Sequence, residues 1–316
     1  MARMMNAGDH AVRAGEIAET LFTTPGALAP EPVHVLAYPD GAGRLARREA
    51  LRPVYEAIVA RIGAPTLLGG SVSGPSVRWC TRERILLLSG DHTHAELSVH
   101  DADMFVAEEW KTFDRTNPGR KGEPHAFDAL PYTWQLDRKG PGNATAWTFN
   151  GTFIAGSWDH AVTGLELMLA AWVEQYPVQA PGDWIGFNLW TARDWRRDMI
   201  VSYTPADHGR ELAVGIHDRG SEQTAERQAQ MRERGWHTLT DHQWWRTAVP
   251  ETDPDGPRMI AELTIAECRV PSAECRARKA TCPDELRAHD ISAGDNGDLW
   301  LTGLGLPTHP SRGEHF

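Results

Sequence analysis

The stretch Ser89-Gly-Asp-His-Thr-His-Ala-Glu-Leu-Ser-Val-His-Asp101 carries most of the candidate chemistry of this chain. If residues 92–100 are extended, two-residue alternation places His92, His94, Glu96, Ser98 and His100 on one face and Ala95, Leu97 and Val99 on the other. Two imidazoles two residues apart on a strand can reach one metal ion, with a carboxylate or third histidine completing the set. His92, His94 and Glu96 are therefore the metal-ligating candidates. The bland alternative is the polar face of a half-buried antiparallel sheet, which alternates in the same way. Gly90-Asp91 also reads as a hairpin turn, which would leave His92 and His94 at its rim.

His100-Asp101 recurs as His217-Asp218, 117 residues later (217 minus 100). Each pair ends a strand and precedes a helix. Asp101 is placed to cap the first of these helices at Met104, whereas Ser221 is the better cap for the second. The functional alternative sets His100 and His217 face to face across a pseudo-twofold axis, each aspartate orienting its imidazole for acid–base work. The catalytic candidates on that reading are His92, His94, His100 and His217. At the offset of 117, His92, His94 and Glu96 correspond to Gly209, Glu211 and Ala213, so the second copy does not keep the histidine face.

Two further patterns carry less. Cys268, Cys275, Cys282 and His289 recur every seven residues; on a helix such residues lie about 10 Å apart, too far to share an ion. Leu68-Gly-Gly-Ser-Val-Ser-Gly-Pro-Ser76 has neither the Gly-Lys-Ser/Thr of a phosphate loop nor the Gly-x-Ser-x-Gly of a nucleophile elbow, and reads as a connector. No cofactor is expected.

The elements that must position these residues follow from apolar spacing. Leu51, Val54, Tyr55, Ile58, Val59 and Ile62 recur at helical intervals, stopped by Gly63 and Pro65. A second helix starts after Ser157 and runs to Tyr176-Pro177. Each is followed by three strands and a closing helix, Val77 to Trp110 in one copy and Phe187 to Arg234 in the other, with Trp79 matching Trp190. Pro283 to His289 reads as a short helix, and Asn296-Gly297 as the turn of a final hairpin.

Aromatic residues gather after each closing helix: Tyr132, Trp134 and Trp147, then Trp236, Trp244 and Trp245. Three tryptophans in so short a segment as 236–245 would not all turn inward, which makes Trp236, His242, Trp244 and Trp245 partner-binding candidates. With 41% hydrophobic residues over 316 positions, the chain can fill one large or two medium cores. The formal charge of −11 opposes a nucleic-acid partner. No apolar run reaches the roughly 20 residues of a membrane span, and the four cysteines suit a reducing, cytoplasmic setting.

These readings give an α+β protein of two tandem α-β-β-β-α units with antiparallel sheets and a C-terminal helix and hairpin. The expected divisions are a peripheral segment 1–45, units at 46–150 and 151–250, and an extension 251–316. The element order of Arg47–Trp110 and Ser157–Arg234 resembles the YbjN and type III secretion chaperone-like fold of actinobacterial proteins. That resemblance implies a cytoplasmic protein-binding module, immunity- or chaperone-like, whose partner is another protein. The alternative is a small-molecule enzyme, possibly metal-dependent, that uses the histidines in a cleft between the repeats.

Overall fold

The computed structural model describes residues 7–24, 31–116, 127–137, 155–191, 194–218, 222–269, 286–293 and 298–306. The fold is α+β, and its described residues form two compact units. The first takes residues 7–116, 127–137 and 170–181; the second takes 155–169 and the described residues from 182 onward. Among the described residues no helix is long and apolar enough to cross a membrane.

In the first unit, helix α1 (Ala7–Thr23), strand β1 (Val33–Ala37) and helix α2 (Arg44–Ile62) precede a meander of β3 (Ser76–Cys80), β4 (Arg84–Gly90) and β5 (His94–Asp101), closed by α3 (Ala102–Thr116). The antiparallel sheet runs β1-β5-β4-β3. Its alternation sends Val77, Trp79, Leu86, Leu88, Ala95 and Leu97 into one core with Ala14 and Ala18 of α1 and Leu51, Val54 and Ile58 of α2. Burying each large side chain there contributes roughly 1.5–3 kcal/mol. Within the segment 1–45, expected to be peripheral, α1 and β1 belong to this core: the small residues Ala14 and Ala18 let α1 lie against α2, and β1 covers the edge of β5.

Residues 68–76, expected to be a connector, contain strand β2 (Leu68–Gly70), which pairs with β6 (Trp134–Asp137). Helix α4 (Trp158–Gln179) explains the glycines: the Gln179 amide donates to Gly69 O at 2.9 Å and accepts from Gly69 N at 2.8 Å. A Cβ on Gly70 would lie 1.5 Å from Gln175 Oε1. The Gly-Gly step thus lets a helix approach a strand closely and does not cradle an anion. As expected, α2 stops at Gly63, whose φ is 86°, but α4 continues through Pro177 to Gln179.

In the second unit the meander is β7 (Ile185–Thr191), β8 (Asp194–Ala206) and β9 (Gly209–His217), followed by α5 (Ala225–Glu233), β10 (Thr238–Leu239), β11 (Trp244–Pro250) and α6 (Gly256–Arg269). Its antiparallel sheet runs β10-β11-β9-β8-β7-β12, with β12 spanning Leu286–Ala293. Residues 286–289 are therefore strand where the sequence predicted helix: Leu286 and Ala288 turn inward as β12 pairs with β7, and this pairing outweighs a weak local preference. β12 and the later strand Asp298–Trp300 lie in different sheets, so they do not form the expected ribbon; Asn296 and Gly297 lie outside the described residues. α5 is capped by Thr224, whose hydroxyl accepts from Arg227 N at 3.2 Å; Ser221, the predicted cap, lies outside the described residues. Gly235 follows the helix with a φ of 95°, as a terminating glycine should.

Candidate functional site

The face of the first sheet opposite α1 and α2 is mixed: Arg78 of β3 and Ser98 and His100 of β5 lie beside Ile85 and Leu87 of β4. Arg78 of β3 lies beneath α3 and β6, its side chain fully buried, and its Nη2 donates to Glu109 of α3 at 2.5 Å. Its guanidinium lies 5.1 Å from the ring centres of both Phe105 and Tyr132. With its amide oxygen turned toward Arg78, Gln135 accepts from Nη2 at 3.1 Å and from Nε at 3.3 Å. Burial pushes the Glu109 carboxyl above its ordinary range while Arg78 pulls it back, and the guanidinium itself stays charged. The pair ties α3 to the sheet at depth.

Beside it opens a cleft of about 810 Å³ between α3 and the sheet. Leu87, Met104, Phe105, Leu130 and Pro131 make it largely apolar; Ser76, Ser89 and His100 supply neutral polar groups, and Asp91, Asp101, Glu108 and Glu109 the charges. Among the described residues no lysine or arginine lines it. His100 comes from the last turn of alternation in β5. Its Nε2 lies 2.7 Å from Ser98 Oγ, its ring centre lies 4.5 Å from that of Phe105, and burial together with the nearby Arg78 charge lowers its pKa, favouring the neutral ring. Ser98 is buried at 4% exposure and does not line the cleft, so this hydroxyl and imidazole do not form a nucleophile and base open to a substrate.

At the rim of the cleft, Asp91 accepts from Thr93 N at 2.7 Å, Thr93 Oγ1 at 2.6 Å and His94 N at 3.0 Å, closing the β4–β5 hairpin. Burial works against its charge, but these hydrogen bonds and the adjacent His94 win and draw the carboxyl down to about 2. Glu96 and His94 share one face, as predicted. His92 does not join them: it is exposed in the turn that precedes β5, because the strand begins only at His94. The residue that does converge is His34 of β1, which pairs in register with Glu96. Sequence reading missed it because it lies 60 residues away (94 minus 34). The alternation in Val33-His-Val-Leu-Ala37 was the available signal, but only the strand pairing shows which residue His34 meets.

The other candidates lie in the second unit. His217 ends β9 and meets Trp244 edge to face at 5.3 Å between ring centres. Asp218 accepts from Arg227 Nη2 at 2.6 Å and Nε at 3.0 Å. Trp236 and Trp245 are both fully buried, which overturns their reading as exposed anchors. The segment turns inward twice: Trp236 Nε1 donates to Glu267 of α6 at 3.3 Å, and Trp245 takes the inward position of β11 opposite Ile216. Trp244, its neighbour on the other face, is half-buried, and His242 is exposed in the intervening turn. Cys80 and Cys268 are free thiols, and burial raises Cys80 to about 11. Cys275 and Cys282 lie outside the described residues.

No family model, curated protein or solved structure matches this chain, so the likeness to the YbjN and secretion chaperone-like fold rests on element order alone.

Proposed function

We propose that the first unit binds a small molecule with an apolar body and a basic nitrogen in the cleft between α3 and the sheet. The observation that carries this reading is the lining itself: an apolar pocket of about 810 Å³ whose charged side chains, among the described residues, are all carboxylates. That volume falls among those of small-molecule sites, and carboxylates at an otherwise apolar wall favour a cation over an anion. His100, biased toward its neutral form, adds a hydrogen-bonding group without adding positive charge. The reading is one of binding: among the described residues the Ser98 hydroxyl beside His100 is buried away from the cleft.

Calorimetric titration with an arylalkylamine and with the carboxylate of the same body tests it. The amine should bind at least roughly tenfold more tightly, a difference of about 1.4 kcal/mol. Glu108→Gln should narrow that gap, and Ser89→Trp, which fills the cleft, should abolish binding of both. Equal affinities, or binding that survives Ser89→Trp, would reject the reading.

A second reading, a protein-binding module of the immunity- or chaperone-like kind, draws on Met104 and Trp110 of α3, which are 75% and 50% exposed. A partner protein held through them would be lost from Met104→Ser/Trp110→Ser and retained by Ser89→Trp.

A further inference from the structure

We propose that His34, His94 and Glu96 form a binding site for a divalent transition-metal ion of the zinc type at the edge of the first sheet. β1 runs antiparallel to β5 with His34 opposite Glu96, and the register shifts immediately after His34. Such a bulge re-aims a side chain at a sheet edge. His94 lies two residues before Glu96 on the same face, so one strand pairing delivers all three groups.

The spacing suits an ion. His94 Nε2 lies 3.3 Å and His34 Nε2 3.8 Å from Glu96 Oε2, and the three ligand atoms all fall within 4.8 Å of one another. Tetrahedral zinc, with ligands at about 2.0–2.1 Å, separates them by about 3.3–3.4 Å. The two imidazoles stack with ring centres 4.1 Å apart and planes 4° apart, so the exposed His34 ring must turn out of the stack for both Nε2 lone pairs to point at one ion.

Proton placement strengthens the case. His94 Nδ1 lies 3.1 Å from Asp91 Oδ1 and 2.9 Å from Thr93 Oγ1. The Thr93 hydroxyl spends its proton on Asp91 Oδ1 at 2.6 Å, so its oxygen accepts from His94 and the ring proton belongs on Nδ1. Metal-ligating histidines fix their tautomer through a hydrogen bond of this kind from the other ring nitrogen, here relayed by Thr93 to Asp91. The Nε2 lone pair then faces a Glu96 oxygen, and two lone pairs at that distance need a cation between them. A second proton on the ring is the competing account. Two imidazoles and one carboxylate suit zinc, cobalt or nickel better than magnesium or calcium, which prefer oxygen alone. Three protein ligands leave one position for water, and the 67% exposure of the His34 side chain leaves that position open to solvent.

This inference does not depend on the cleft ligand. The test uses the full chain stripped by chelator and dialysed, then titrated with Zn²⁺ by calorimetry and with Co²⁺ by visible absorption. One equivalent of Zn²⁺ should bind, and Co²⁺ should give the absorption of a low-coordinate nitrogen–oxygen site. Asp91→Asn should weaken Zn²⁺ binding about 10–100-fold, His34→Ala and His94→Ala by more, and His92→Ala should leave it unchanged. His34 is exposed, so His34→Ala should keep the circular dichroism of the parent and remains decisive even if His94→Ala fails to fold. The proposal is overturned if no stoichiometric Zn²⁺ binds, if His34→Ala binds as the parent does, or if His92→Ala loses as much affinity. Amine binding in the cleft of the His34→Ala protein tells failure of this site apart from failure of the cleft reading.

Discussion

The two His-Asp pairs end the third strands of two meanders built in the same order, yet their surroundings put them to different uses. Asp101 accepts from Met104 N at 2.9 Å and caps α3, whereas Asp218 is held by the Arg227 guanidinium. His100 borders the cleft beside Phe105, while His217 packs its ring against Trp244. The strand added beside each third strand accounts for part of the contrast: β11 sets Trp244 opposite His217, whereas β1 ends with Val33 opposite Leu97 and does not reach His100. β1 joins β5 and sets His34 opposite Glu96; β11 joins β9, where Ala248 lies opposite Ala213 and Trp245 opposite Ile216. One addition brings ligand-type side chains and the other brings aromatic bulk. A repeated dipeptide therefore marks a place in an element order, and its surroundings depend on how far the added strand reaches along the third strand.

Breaking each unit at its most buried feature should give the largest effects. Arg78→Ala strands the Glu109 carboxylate and should cost about 3–5 kcal/mol of unfolding free energy in urea titrations. The double replacement Arg78→Met/Glu109→Leu should recover much of that loss, since an apolar pair leaves no charge without its partner. Trp245→Ala should cost a similar roughly 3–5 kcal/mol by opening a cavity between β11 and its core. A mild loss of stability in Trp245→Ala would return that ring to the surface and undo the contrast between the two added strands.

The aspartates sharpen the comparison at smaller scale. Asp218→Ala removes the two hydrogen bonds from Arg227 and a third from Gln223 Nε2 and should destabilise by about 1.5–3 kcal/mol. Asp101→Ala removes only a helix cap and should cost about 1 kcal/mol. Equal losses would mean that the two residues do the same work.

The smallest effect expected is one of pH. The pKa of His100 is lowered from its ordinary 6.5, so the unfolded chain takes up that proton at a higher pH than the folded chain does. Stability should therefore rise with pH between the lowered value and 6.5, and fall as the solution is acidified through that window. In His100→Gln the melting temperature should vary less with pH below 6.5 than in the parent; identical profiles would remove the basis for calling His100 neutral.

Much of the frame was legible in the chain because it depends on local spacing. Leu51 to Ile62 announce α2, the alternation around Leu97 announces β5, and Gly235 announces the end of α5. What escaped depends on pairing between distant segments. His34 meets Glu96 only because β1 docks on β5, and no periodicity reveals a partner so far along the chain. Trp236 and Trp245 were misread for a related reason: whether a ring in a short segment faces solvent depends on the strand and helix that arrive later, here β11 and α6. Residues 286–289 are strand because β7 offers an edge, although their own composition leans weakly toward helix.

The central claim, that the first unit and not the second carries the ligand site, is tested most directly by histidine-ring NMR during titration with an arylalkylamine. The account predicts that the His100 resonances shift saturably while those of His217 hold their positions, and that Ser89→Trp removes the shift. An unmoved His100, or a His217 response of equal size, would contradict it.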